Sequence, residues 1–305
     1  MDPQDHRPSS ADPIRDHRRQ WRDCLYVYPV VSRRSRGLSI GVNLNPDKRC
    51  NFACVYCQVD RHLPRNLRQV DLDKLRGELH IALDEAVSGT LWKRQRFAGV
   101  APEMKRINDI AFSGDGEPTC LPDFDKAVRV AAESKWLFDC EETKIVVITN
   151  ATQLRSEQVA RALPILDENN GEIWAKLDAG SEEFFQRVSR PHPKVTLDEI
   201  VGNITHVAKG RPVVIQTLWM RLDGEPPAEQ EVGAYIERLR GILDAGGQIK
   251  LVQIHTVARP PWEQYVRTLE EPDLRVIADR VSAALPQVPV DVYPGADVPP
   301  MDRPR

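Results

Sequence analysis

The chain has 305 residues, 41% hydrophobic and 29% charged, with a net charge of −3 at pH 7, which is enough apolar material for a core and excludes wholesale disorder. No apolar run reaches the roughly 18 residues of a membrane helix, and the charged N-terminus lacks the apolar stretch of a secretory signal. Six cysteines are too few for a disulfide scaffold, so the chain reads as cytoplasmic and reduced, with no membrane partner. Charge is uneven: residues 1–107 hold 20 basic and 13 acidic side chains. Without a dense Lys/Arg tract, that excess reads first as a solvated surface and second as a footprint for phosphate.

Residues 1–20 mix Pro, Asp, Arg and Ser without periodicity and read as a disordered arm. The first β-branched run is Leu38–Asn43, and Cys50, Cys54 and Cys57 follow it. An amphipathic helix is expected over Leu72–Ala86, then a strand over Asp109–Ser113 that leads into Gly114, Asp115, Gly116, Glu117 and Pro118. Helix Phe124–Glu133, strand Lys144–Thr149 with Asn150 after it, and helix Ser156–Leu166 continue the rhythm. Strand Ile173–Leu177 carries Lys176, with Asp178 just beyond, and Ser181 marks a helix start. Helix Thr196–Lys209, strand Pro212–Thr217 with Gln216, helix Glu229–Asp244 and strand Ile249–His255 follow. Helix Leu274–Leu285 and strand Val288–Tyr293 come last, before a Pro-rich tail over 294–305.

Most of these strands are near-continuously apolar, as strands buried on both faces of a parallel sheet must be. Their alternation with helices predicts repeated βα units with right-handed crossovers. The expected fold is α/β, a partial (β/α)6 TIM-like barrel with N- and C-terminal extensions; a doubly wound open sheet is the alternative. No internal linker splits the core, so one domain is expected over 21–293, with a barrel core at about 36–260 and a closing region at 261–293. In such folds function gathers at the C-terminal ends of strands. The cysteines, the Gly114–Pro118 turn, Asn150, Lys176, Asp178, Gln216 and His255 all fall there.

Cys50, Cys54 and Cys57 form a C-x3-C-x2-C loop. Three thiolates suit a cubane in which three irons take cysteine and the fourth keeps an open position for a chelating ligand. Two other readings stand beside it. Zinc would be held by the three cysteines and His62, in a non-catalytic, metal-stabilised binding protein; or the cysteines are buried and inert.

With Tyr56 as its aromatic residue, the loop resembles the signature of the radical S-adenosylmethionine (radical SAM) superfamily. Ser113 to Pro118 and Thr119 resemble that family's Gly-Gly-Glu-Pro turn, with Asp115 in place of one glycine. The resemblance implies that Cys50, Cys54 and Cys57 bind one [4Fe-4S] cluster whose open iron chelates S-adenosylmethionine. It implies an enzyme in which one electron cleaves the cofactor to methionine and a 5′-deoxyadenosyl radical, and that radical takes a hydrogen from the substrate. Tyr56 would pack near the adenine, and Ser113, Gly114, Asp115, Gly116, Glu117 and Pro118 would form the turn that receives the methionyl ammonium. Asn150 takes a polar ligand position, Lys176 and Asp178 face the ribose or the methionyl carboxylate, and Gln216 and His255 line the cavity. An electron donor such as flavodoxin or ferredoxin is implied. Gly41 to Pro46 and the Lys-Leu-Asp run most resemble the subgroup containing the wyosine-type tRNA synthases. Those enzymes carry a second cluster on N-terminal cysteines, whereas here only Cys24 precedes the loop and Cys120 and Cys140 stand alone. Residues 176–190 loosely resemble glycyl-radical activating enzymes, so the substrate is open between a tRNA and a protein.

Overall fold

The computed structural model describes residues 21–32, 36–59, 69–192, 195–259, 261 and 263–295. The expected arm over 1–20, His62 and the tail from 296 onward lie outside the described residues.

The apolar runs form the strands expected of them. In chain order the elements are β1 (Val27–Ser32), β2 (Gly37–Val42), α1 (Leu72–Val87), β3 (Ile107–Phe112), α2 (Phe124–Leu137), β4 (Lys144–Thr149), α3 (Glu157–Glu168), β5 (Gly171–Lys176), α4 (Glu182–Ser189), α5 (Leu197–Ala208), β6 (Val213–Leu222), α6 (Glu229–Asp244), β7 (Ile249–Thr256), β8 (Val266–Thr268), α7 (Glu271–Ala284) and β9 (Val290–Tyr293). The main sheet runs β1-β2-β3-β4-β5-β6-β7-β9. Every neighbouring pair from β2 to β9 is parallel. Helices therefore cross over between successive strands, and the sheet curls into the expected partial barrel.

Local chemistry sets the helix starts. Asp71 accepts from the Lys74 N–H ahead of α1, Ser181 accepts from the Phe184 N–H ahead of α4, and Thr196 and Glu199 form a reciprocal capping box at α5. The main core lies between the outer face of the sheet and the helices. Leu38, Ile40, Ile110, Phe112, Ile145 and Val147 pack there against Leu75, Leu79, Phe124 and Val128. The inner face carries a smaller apolar layer of Ala111, Val146, Trp174 and Val214. Above it, side chains at the C-terminal ends of the strands are polar.

Three elements were not expected. β1 pairs antiparallel with β2 through Val27↔Val42 and Ser32↔Gly37. Its entry is fixed by buried Glu78 of α1, which accepts from the backbone N–H groups of Leu25, Tyr26 and Val27 at 2.8, 2.7 and 3.1 Å. β8 pairs antiparallel with the far end of β6. α4 spans only eight residues, too short to show a periodic stripe, although its Ser181 cap was legible. Among the described residues no helix is long and apolar enough to cross a membrane.

Candidate functional site

The cysteine loop is anchored by its backbone before its thiols matter. Phe52 bridges to Pro191. Ala53 N–H donates to the Arg190 carbonyl at 3.0 Å, Val55 N–H to the Val188 carbonyl at 2.9 Å, and His192 N–H to the Asn51 carbonyl at 2.8 Å. Arg190 ends α4 in a left-handed conformation at φ 42°. Its guanidinium reaches Glu263 at 2.6 Å and the Tyr265 hydroxyl at 2.7 Å, so the end of α4 is tied to the segment that leads into β8. Phe52 meets Phe185 edge-on at 5.8 Å, and Val55 is buried among Val188, Met220, Leu222 and Val266.

Cys50, Cys54 and Cys57 turn into a cavity of about 330 Å³. Shielding by the surrounding protein pushes the Cys54 thiol up to about 12, and Asp178, Cys57 and Cys50 add to the rise. Cys54 is therefore held as a thiol until a cation displaces its proton. Among the described residues no three His, Cys, Asp or Glu side chains stand together at the spacing of a single ion's ligands.

The turn after β3 is built against this loop. A Cβ on Gly116 would lie 1.9 Å from the Arg49 carbonyl oxygen, and one on Gly114 would lie 2.4 Å from Asn43 Oδ1. Only glycine lets the two backbones approach so closely. Asn43 seals the joint: its Oδ1 accepts from the Asp115 N–H at 3.1 Å and its Nδ2 donates to Asp115 Oδ2 at 2.8 Å. Glu117 is 3% exposed. Its carboxylate accepts from Thr119 N–H and the Thr119 and Thr149 hydroxyls on one oxygen, and from the Asn150 N–H at 2.6 Å on the other. Burial pushes this carboxyl above its ordinary value, and those four donors oppose the rise. Glu117 thus ties the turn to the end of β4, its acceptor capacity already spent on the chain's own donors.

Beyond β4 the chain turns sharply. Ala151 is left-handed at φ 67°, and Asn203 Nδ2 donates to the Ala151 and Thr152 carbonyls at 3.1 and 3.2 Å. This turn aims Asn150 at the cysteine loop, where its Nδ2 donates to Asn51 Oδ1 at 2.7 Å. Across the cavity, Tyr56 donates its hydroxyl to Asp178 Oδ2. Asp178 Oδ1 accepts from the Leu218 N–H at 2.8 Å and from Lys176 Nζ at 3.2 Å. The Lys176 ammonium sits 5.1 Å from the Tyr56 ring centroid. Gln216 Nε2 donates to Gln253 Oε1 at 2.8 Å. Removing the Asp178 acceptor strands three donors from β5, β6 and the cysteine loop. Asp178→Ala is expected to lower stability by about 2–3 kcal/mol in urea unfolding, and Asp178→Asn by less than half of that.

Of the residues singled out from sequence, Tyr56, Ser113, Gly114, Gly116, Glu117, Asn150, Lys176, Asp178 and Gln216 line the same cavity as the three cysteines. Asp115 and Pro118 do not. Asp115 is turned onto Asn43, and buried Pro118 opens a 3-10 turn. His255 is likewise not among the lining residues: it stacks on Tyr293 at 5.2 Å across the β7–β9 pair. Sequence reasoning missed Asn43 and Asn51, whose only signal is the place of a short amide beside the glycine turn and the first cysteine. It also missed Tyr28, which lines the cavity and donates to the Ser113 carbonyl at 3.1 Å.

The model of the Radical SAM superfamily matches residues 44–229. The chain belongs to the radical SAM superfamily. It therefore falls in a class of enzymes, and the matched span runs from the cysteine loop through β6 to the start of α6. A UPF0026 protein of Methanocaldococcus jannaschii is 26% identical over 239 residues, covering 78% of this chain and 65% of its own length. A UPF0026 protein of Helicobacter pylori is 25% identical over 169 residues, covering 54% of this chain and 46% of its own. The chain thus spans at most 65% of the length of these relatives. Among solved structures, a radical SAM methyltransferase from Sphaerobacter thermophilus shares the fold with a TM-score of 0.60 at 12% identity, covering 88% of this chain and 68% of that one.

Proposed function

We propose that this radical SAM chain carries one [4Fe-4S] cluster on Cys50, Cys54 and Cys57, cleaves S-adenosylmethionine reductively, and uses the resulting 5′-deoxyadenosyl radical to take a hydrogen atom from a substrate in the same cavity. The observation that carries this reading is the shared cavity. Three thiols and a glycine-relieved turn face it together, welded through Asn43, Asn51 and Glu117.

The donor set fits the group. Three cysteine sulfurs from one short loop line one cavity, and cysteine sulfur is the ligand such clusters take. When bound, the cluster supplies one low-potential electron and an open iron for the cofactor's amino and carboxylate groups. The chain's own part is positioning. Gly114 and Gly116 let the turn's backbone carbonyls come close to a bound ammonium. With its carboxylate already occupied, Glu117 holds that turn in place. Lys176 offers a cation on the β5 wall to the methionyl carboxylate or a ribose hydroxyl, and Tyr56 offers a ring to the adenine. Ala111, Val146, Trp174 and Val214 close the barrel beneath with apolar surface, which keeps water from a reactive radical. The electron comes from a small carrier such as a flavodoxin or a ferredoxin.

Anaerobic reconstitution with iron and sulfide, followed by dithionite and S-adenosylmethionine, is expected to release methionine and 5′-deoxyadenosine. A fully loaded cluster that yields no 5′-deoxyadenosine would overturn the reading.

A further inference from the structure

Asn51 sits between the first two cysteines, and its amide belongs to a closed ring of hydrogen bonds. Its Nδ2 donates to Thr152 Oγ1 at 2.7 Å. The Thr152 hydroxyl donates to Asn150 Oδ1 at 2.8 Å, and Asn150 Nδ2 returns to Asn51 Oδ1 at 2.7 Å. Amide orientation is often ambiguous, but here one backbone group settles it. The Thr152 N–H donates to Asn150 Oδ1 at 3.2 Å. That bond fixes which end of Asn150 is the amine, and so which end of Asn51 faces it. A turned-over Asn51 would set two NH₂ groups against each other.

The fixed end matters because of what else it faces. The Cys50 thiol donates to Asn51 Oδ1 at 3.9 Å, while the same sulfur receives the Phe52 N–H at 3.5 Å. Once that proton gives way to iron, the Cys50 sulfur would keep one weak donor and face one carbonyl-type oxygen. Hydrogen bonds and dipoles at ligand sulfurs set the potential of an iron–sulfur centre. A donor stabilises added negative charge, and an acceptor oxygen opposes it.

We propose that Asn51 is a positioning residue that lowers the reduction potential of the cluster, its amide oxygen held toward the Cys50 sulfur by Asn150 and Thr152. The proposal rests on the radical SAM reading above. One added electron spreads onto the ligand sulfurs, and the negative end of the Asn51 dipole makes that addition less favourable. The ring also joins the sulfur to the turn that binds the cofactor, because the Asn150 N–H is held by Glu117 at 2.6 Å. The same β4 end therefore orients both.

The test is an electron-paramagnetic-resonance redox titration of the one-electron couple in reconstituted protein, with iron and sulfide measured on each sample. Asn51→Ala removes the oxygen and is expected to move the midpoint upward. Thr152→Val keeps the shape but frees the amide to turn, and is expected to move it the same way by less. Asn51→Asp keeps the shape and adds charge, and is expected to move it downward. Opposite signs for Asn51→Ala and Asn51→Asp at equal iron content support the proposal. Unchanged midpoints, or shifts of one sign in all three variants, overturn it. Should Asn51→Ala lose iron, Thr152→Val against Asn51→Asp decides by the same signs. A parent protein that loads no cluster sinks the function proposed above, whereas a parent that cleaves S-adenosylmethionine beside unshifted variants sinks only the role of Asn51.

Discussion

Cys54→Ala is expected to abolish cluster assembly and 5′-deoxyadenosine formation while leaving the apo-protein folded. Cys54 is the middle thiol of the loop, and burial pushes that thiol up to about 12. A thiol so shielded loses its proton only to a cation that replaces it, so the charge site it vacates cannot be supplied by water or by a neighbour. The fold does not depend on that sulfur. Val55, beside it, is buried in its own cluster, and the backbone bonds to Arg190 and Val188 hold the loop without metal. Loss of the sulfur is therefore expected to cost the apo-protein about 1 kcal/mol or less. Cys120→Ala and Cys140→Ala provide the contrast. Cys120 is exposed, and Cys140 donates to the Phe138 carbonyl at 3.2 Å; neither lines the cavity. Both variants are expected to keep the parent's iron. Iron and sulfide per chain, with circular dichroism as the folding control, decide the matter; parental iron in Cys54→Ala would remove the three-thiol ligation from consideration.

Much of this arrangement was legible in the sequence because its signals are local. β4 and α6 keep the boundaries read from their apolar runs and spacing, Lys144–Thr149 and Glu229–Asp244. The alternation of strand and helix carried the parallel order with it, since a parallel strand requires a crossover. Of the positions read from strand ends, Lys176 and Gln216 line the same cavity as the cysteines, where the end of a parallel strand faces the barrel mouth. His255 is not among the lining residues: β9 arrives late in the chain and brings Tyr293 to stack on it. β1 was missed for a related reason. Its partner β2 could be read, but its own entry is set by Glu78, some fifty residues away in α1. Asn43, Asn51 and Glu117 show the deeper limit. Each is a common polar residue whose meaning is its partner on another loop, and pairing between loops leaves no periodicity to read. Glu117 was read only as part of the turn that would receive an ammonium, and the structure gives its carboxylate to four donors of the chain itself.

The contact between the turn and the cysteine loop makes a single methyl group decisive. In Gly116→Ala the new Cβ would lie 1.9 Å from the Arg49 carbonyl oxygen and 2.7 Å from the Asn45 side chain. A flexible side chain could swing away, but Arg49 O is backbone, one residue before Cys50, and that loop is pinned on its other side to α4. Relief must come from moving the turn off the loop by about an ångström or more, which stretches the Asn43–Asp115 bonds and the Glu117 network together. An overpacking cost of about 2–3 kcal/mol is expected in urea unfolding of the apo-protein. A loss of at least about tenfold in S-adenosylmethionine affinity is expected after reconstitution, because displacement on that scale at a binding turn disrupts several contacts at once. Gly241→Ala is the matched control. Gly241 lies within α6, and a Cβ there would meet nothing within 4 Å, so alanine is expected to raise stability by about 0.5–1 kcal/mol through helix propensity and reduced freedom of the unfolded chain. The same substitution thus carries opposite signs at two sites. Equal effects at both would mean that the turn and the cysteine loop are not in the contact described, and the cavity they share would lose its defining wall.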